Sequence, residues 1–420
     1  MNKRFLIAVI AAGALVAPGV ARADVVTDWN KTMVDALYAS HTVPQPSTRI
    51  GAIVQASVFD AVNGISHRYE QFHPEVLNST APPGASRRAA AASAAYTALS
   101  ALLPSQHAAF DAQYATSLAS LPAGSQSVAQ GLAWGQTVAN AFLAWRSTDG
   151  FTAVLPPYVI GALPFWQPTP PGFVATPVFR QFAAMTPWTM SSPGQFLPPP
   201  PPALTSTRYT ADFQEVKDLG NAATATQANI DTAKFWNGQF DTPVTMWNRV
   251  AESLVPEHAR LVDNARLFAL VNASMADALI SIWNAKNTYN AWRPVTAIRN
   301  ADMDGNPSTA QDTTWTPVLT TPAHQEYPSG HAAVSSAAAR VLASFFGNGT
   351  AFTLTSDGLP APSNARTYPS FSDAVAEVGL ARIAAGIHFR FSCDAATGMG
   401  ADIARQALRT EMERRRGLRR

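Results

Sequence analysis

The chain has 420 residues, of which 47% are hydrophobic and 14% charged, with a formal net charge of +2. Near-neutral charge without interleaved aromatic and basic residues excludes nucleic acid as a main partner. A single cysteine, Cys393, excludes an internal disulfide, so stability has to come from core burial.

Lys3 and Arg4 precede an apolar run from Phe5 to Ala17 and then Ala21-Arg22-Ala23. This is the pattern of a secretory signal cleaved before Asp24, because about 13 apolar residues fall short of the roughly 20 that a bilayer span needs. The mature chain is therefore expected to be secreted or periplasmic. The central apolar stretch, Leu267 to Ile282, is interrupted by Asn272, Asp277 and Ser281, so no transmembrane segment is expected in it.

Apolar residues at helical spacing predict helices over 28–40, 48–64, 85–102, 106–120 and 125–147. From Leu155 to Leu204 the texture changes, because most of the prolines fall here, ending in Pro198 to Pro202. Proline removes amide donors and fixes φ, so this stretch is a long crossover, expected to line a pocket mouth. Helical spacing resumes over 207–219, 223–237, 258–290, 330–346, 371–385 and 395–416. The basic end, Arg414 to Arg416 with Arg419 and Arg420, reads as a solvated helix terminus.

The fold class is thus all-α, and a length beyond what one core serves predicts two packed units. The division is a signal peptide at 1–23, an N-terminal helical bundle at 24–150, the proline-rich crossover at 151–205 and a C-terminal bundle at 206–420. Ala56-Ser57-Val58-Phe59-Asp60-Ala61 echoes Ala273-Ser274-Met275-Ala276-Asp277-Ala278. Two related bundles, only the second keeping polar site residues, would account for the echo.

Three segments carry chemistry. Lys286 and Arg293 lie seven residues apart, near two helical turns, so both heads share a face if the helix persists. Pro294 then stops the helix and holds Arg293 extended. Tyr327-Pro328-Ser329-Gly330-His331 introduces a helix whose N-terminus, with its free amides, favours an anion, and Gly330 allows close approach. Arg382 and His388 are six apart, and a break near Gly386 would let them converge. Taken singly, the three segments equally suit a solvated face, a helix cap and a core histidine.

In this order, Lys-x6-Arg-Pro, Pro-Ser-Gly-His and Arg-x5-His resemble the signature shared by vanadium-dependent haloperoxidases and the type 2 phosphatidic acid phosphatase superfamily. The resemblance implies a C-terminal bundle of that type. It implies that Lys286, Arg293, Ser329, Gly330 and Arg382 bind an oxyanion, that His388 bonds its central atom, and that His331 is the acid-base group. The cofactor would be vanadate, with phosphate as the competing or alternative oxyanion. Two departures stand out: Ala381 replaces the family's serine, and Ser392 replaces the aspartate expected four residues after the histidine. Either Asp394 reaches the imidazole through a bulge or Ser392 supplies a weaker hydrogen bond.

The resemblance implies oxidation of halide by hydrogen peroxide, with Lys286 polarising the peroxide and a small organic acceptor taking the halogen. Trp283 and His324 match halide-pocket positions of the haloperoxidases, and the polar His324 favours bromide or iodide. A secreted acid phosphatase, with a phosphohistidine at His388 and a phosphomonoester substrate, is the alternative for the same pocket. A non-catalytic oxyanion-binding relative is a third reading, motivated by the missing aspartate. A homo-oligomer is compatible with each of these.

Overall fold

The structure is a computed structural model that describes residues 24–415. The expected signal peptide and the last five residues lie outside the described residues. The first bundle contains α1 (Val25–Ala39), α2 (Pro44–Ser66), α3 (Arg87–Leu102), α4 (His107–Ala119) and α5 (Gln126–Arg146). The crossover that follows has one regular element, a 3-10 turn at Arg180–Ala184. The second bundle contains α6 (Thr207–Leu219), α7 (Gln227–Phe235), α8 (Pro243–Leu254), α9 (Leu261–Tyr289), α10 (Pro294–Arg299), α11 (Gly330–Phe346), α12 (Phe371–Ala384) and α13 (Arg390–Thr410). A two-stranded hairpin, β1 (Phe352–Thr355) with β2 (Ala365–Tyr368), interrupts it.

Three elements were not anticipated from the sequence. Helix α8 had a readable start, since Thr242 and Thr245 form a reciprocal capping box and Pro243 occupies the first helical position. Helix α10 spans six residues and the hairpin strands four each, too short for periodicity to show. Arg414 and Arg415 of the basic end do not close a helix: α13 stops at Thr410. The chain beyond it pairs with residues 68–70 through Glu70 N to Glu413 O (2.8 Å) and Arg415 N to Arg68 O (3.2 Å).

The bundles repeat one plan. In the first, α2 packs on α3 and α5 while α4 flanks α3; in the second, α9 packs on α11 and α13 while α12 flanks α11. Val26-Thr27-Asp28-Trp29-Asn30 on α1 corresponds to Val244-Thr245-Met246-Trp247-Asn248 on α8. Asn30 accepts from Gln55 on α2 (3.1 Å), as Asn248 accepts from Asn272 on α9 (2.8 Å). Helices α3 and α5 approach so closely that a Cβ on Gly135 would lie 2.2 Å from Ala90 O. A Cβ on Gly400 would meet Ala333 O at the same distance between α11 and α13. Helices α2 and α9 also pack against each other, and one apolar core runs from Val25 to Met412.

The echoed aspartates do equivalent work in the two bundles. Asp60 accepts from Phe72 N (3.0 Å) and His73 N (3.5 Å). Asp277 accepts from Trp188 N, Thr189 N and Thr189 Oγ1, each at 2.7 Å. The two clamped segments meet where Phe72 stacks on Trp188, with centroids 6.1 Å apart. Burial pushes Asp60 up to about 7 and Asp277 up to about 6 against these hydrogen bonds. The unfolded chain releases such a proton near pH 4. Stability contributed by Asp60 is therefore complete below about pH 4 and is lost as the pH rises through about 7. Asp60→Asn, which keeps an acceptor for Phe72 N, should flatten the fall of Tm between about pH 5 and 8. A variant with the wild-type slope would show that Asp60 ionises normally in the fold.

Candidate oxyanion site

Lys286 occupies the last turn of α9, which stops at Tyr289 because Asn290 takes a left-handed φ of 47° and returns its N–H to Lys286 O. Lys286 and Arg293 therefore do not project from one continuous helix. The chain turns, and Arg293 is delivered in extended geometry (φ −80°, ψ 156°) immediately before Pro294. Ser329 is the N-cap residue of α11, with Gly330 and His331 in the first turn. Helix α12 ends at Ala384, and Gly386 (φ 75°) reverses the chain so that His388 turns back. Only glycine fits there, since a Cβ would meet Gly220 O at 2.5 Å.

A strap of three residues, 324–326, ties these pieces together. Arg293 Nε donates to His324 O (2.8 Å), and Lys286 Nζ donates to Gln325 O (2.7 Å) and Glu326 O (2.9 Å). Arg293 Nη1 donates to Ile387 O (2.8 Å) and reaches His388 Nε2 (3.2 Å), while Nη2 lies 3.0 Å from His324 Nδ1. Ser329 N donates to Ser392 O (3.2 Å). Lys286, Arg293, Ser329, Arg382, His324 and His388 are all buried.

Gly330, His331, Arg382, His388, His324 and Trp283 line one cavity of about 50 Å³. Pro44 and Gln45 at the start of α2 and Pro243 at the start of α8 complete its wall. The lining therefore includes helix starts from both halves of the chain. No crossover residue is among those lining the cavity; the crossover contacts the site where Val178 O accepts from Trp283 Nε1 (3.2 Å) and Val178 N donates to Ala323 O (2.9 Å). Trp283 and His324 face each other with ring centroids 5.1 Å apart.

The donor set suits an oxyanion. Ser329 Oγ and Arg382 Nε are buried without a protein partner, and the first-turn amides of α11 are free by helix geometry. Burial lowers Lys286 well below its usual range, with Arg293 adding to the effect. Burial likewise brings Arg293 down to about 9 and Arg382 to about 10. His331, His388 and His324 are driven down by burial and by these cations, so all three rings are neutral near pH 7. Positive charge held this densely out of water is what a bound anion offsets.

One expectation is corrected. Asp394 does not orient the imidazole: its side chain is about half exposed (55%) and accepts from Arg208 Nη2 at 2.6 Å. Residue 394 lies on α13 two positions beyond Ser392, which rotates it to the outer face of the helix. Ser392 Oγ does lie 3.3 Å from His388 Nδ1, but Glu326 Oε1 is closer, at 2.7 Å. Glu326 is fully buried, and burial pushes it up to about 7 against the pull of Lys286 and Arg293. The sequence reading missed it, although a carboxylate directly before Tyr327-Pro328-Ser329-Gly330-His331 was there to be noticed.

Residues 266–417 match the sequence profile of the VCPO second helical-bundle domain, a span containing every pocket residue of the signature. The vanadium chloroperoxidase of Curvularia inaequalis is 27% identical over 195 residues, covering 39% of this chain. The match spans only 31% of that protein's length. The solved structure of a bacterial vanadium-dependent iodoperoxidase superposes with a TM-score of 0.77 at 25% identity, covering 93% of this chain and 98% of its own. A holo-type bacterial vanadium-dependent chloroperoxidase gives 0.67 at 18% identity over 93% of both chains, which speaks for the fold. The profile embraces the whole signature and the iodoperoxidase superposes nearly end to end, so residues 266–417 resemble the VCPO second helical-bundle domain and the chain as a whole shares the fold of the solved bacterial vanadium haloperoxidases.

Proposed function

We propose that this protein binds vanadate in the cavity and catalyses the oxidation of halide by hydrogen peroxide, with bromide and iodide favoured over chloride. The observation that carries this reading is the pairing of Trp283 and His324 in the same small cavity as Gly330, His331, Arg382 and His388. Vanadate, when bound, supplies the Lewis acid that activates peroxide toward a halide. Arg293, Arg382, Ser329 Oγ and the amides of Gly330 and His331 would hold its oxygens, and His388 would be the residue that bonds it.

Lys286, whose Nζ donates to Gln325 O and Glu326 O on the strap, would be the group that polarises peroxide. His331 is partly exposed and kept neutral by its surroundings, so it can accept a proton from peroxide and return one to the departing oxygen. The net reaction consumes halide, peroxide and one proton and releases hypohalous acid and water; halide is oxidised and peroxide reduced. A cavity of about 50 Å³ has room for an oxyanion with a peroxide or halide but not for a bulky acceptor. Residues 1–23 favour action outside the cytoplasm.

Side-by-side assays test the reading. Vanadate-loaded protein should oxidise bromide or iodide with peroxide, and phosphate should suppress this by competing for the same donors. His331→Ala should slow turnover by about 10² to 10⁴-fold while vanadate stays bound. Rapid phosphomonoester hydrolysis without vanadate, and no halide oxidation with it, would make the protein a phosphatase.

A further inference from the structure

The hydrogen bonds around His388 define which ring nitrogen carries the proton. Arg293 Nη1 lies 3.2 Å from His388 Nε2, and a guanidinium has donors only. Nε2 must therefore offer its lone pair, which places the proton of the neutral ring on Nδ1. That proton points at Glu326 Oε1, 2.7 Å away. The same oxygen accepts from Phe389 N at 3.1 Å, so it is aligned with both the ring and the backbone beside it.

Glu326 is itself held from three sides. Its N–H donates to Ala291 O (3.0 Å), its carbonyl accepts from Lys286 Nζ, and its side chain is 0% exposed. Among the described residues, it is the one carboxylate hydrogen-bonded to any of the seven signature residues. Ser392, at the helical position four residues after the histidine, stands 3.3 Å from Nδ1 and carries no charge.

We infer that Glu326 is the positioning residue of His388: its carboxylate holds the proton on Nδ1 and thereby keeps the Nε2 lone pair directed at the oxyanion. The charge comes from the strap before α11 instead of from the first turn of α13. The inference rests on the proposed binding of an oxyanion at Nε2. A carboxylate on the far nitrogen makes the near one a better ligand, and losing such a partner typically costs about 10 to 100-fold in affinity.

Two readouts separate this inference from the function proposed above. Vanadate affinity is measured by equilibrium dialysis with metal analysis. The Nδ1-bound proton of His388 is observed by NMR of ¹⁵N-histidine-labelled protein without vanadate. Glu326→Gln preserves shape and should weaken vanadate binding by about 10 to 100-fold, with the Nδ1 proton moving upfield as its charged acceptor is lost. The double variant Glu326→Gln, Ser392→Asp returns a carboxylate to the far side of the ring and should recover most of both effects. Asp394→Ala should stay within about twofold of wild type, because Asp394 faces Arg208 at the surface.

If Glu326→Gln binds vanadate like wild type, or Asp394→Ala weakens binding as much as Glu326→Gln does, the inference is wrong. If the wild type binds no vanadate yet Glu326→Gln shifts the Nδ1 proton and Ser392→Asp restores it, the positioning role stands and the vanadate reading fails.

Discussion

His388→Ala should abolish vanadate-dependent halide oxidation and lower vanadate affinity by more than about 100-fold, a loss on the order of 3 kcal/mol or more. Lys286, Arg293, Ser329 and Arg382 are donors or cations and would hold oxygens, and of the three neutral imidazoles His388 alone, among the described residues, meets a carboxylate at its far nitrogen. His388 Nε2 is the lone pair that Arg293 Nη1 marks at the cavity wall. A second consequence adds to the loss. Alanine leaves Glu326 buried with Phe389 N as its remaining side-chain partner, and a buried carboxylate without its partner is costly. Unfolding should therefore be easier by roughly 1–3 kcal/mol. Dialysis against vanadate and denaturant titration read the two effects separately. Affinity retained within about threefold would show that His388 does not bond the oxyanion.

Arg293→Met should be the most destabilising single change in the pocket, at roughly 3–5 kcal/mol. Arg293 is fully buried and satisfies His324 O, Ile387 O and His388 Nε2, acceptors from two segments. Methionine fills the volume but leaves these carbonyls without a donor, each costing about 1–3 kcal/mol. Against this stands the relief of repulsion with Lys286 and Arg382: after burial, the charge of Arg293 helps to lower Lys286, and that of Arg382 helps to lower Arg293. The orphaned acceptors outweigh that relief, because both carbonyls lie in segments without ladder hydrogen bonds of their own. Arg293→Lys should recover part of the stability but little oxyanion affinity, since one ammonium cannot reproduce the fork of donors. A denaturation midpoint unchanged in Arg293→Met would show that the strap holds without it.

Much of this molecule was legible in its sequence, because the signals were local. Helical spacing located most helices, Pro294 predicted the extended Arg293, and Gly386 marked the reversal that brings His388 back. Ser329 fell at the start of α11, where helix geometry alone leaves amides free for an anion. The signature segments named the pocket's residues, since each needs only its own few neighbours to be recognised. The echo around Asp60 and Asp277 hinted at two related bundles, though not at the shared clamp or the Trp-Asn pairs of α1 and α8.

What only the tertiary structure decided were the contacts between segments far apart in the chain. Sequence spacing pointed to the first turn of α13 for the partner of His388, and Asp394 was the nearest carboxylate in the chain. Helix rotation turns Asp394 outward to Arg208, while packing brings in Glu326, 62 residues before His388. Likewise Pro44 and Gln45 close the cavity from the other bundle, which no spacing within residues 286–394 could reveal. The reason is physical: a helix period specifies which face a residue occupies, but not which distant segment meets that face. That choice depends on how buried acceptors on the strap, the α9 lysine and the extended arginine can all be satisfied at once.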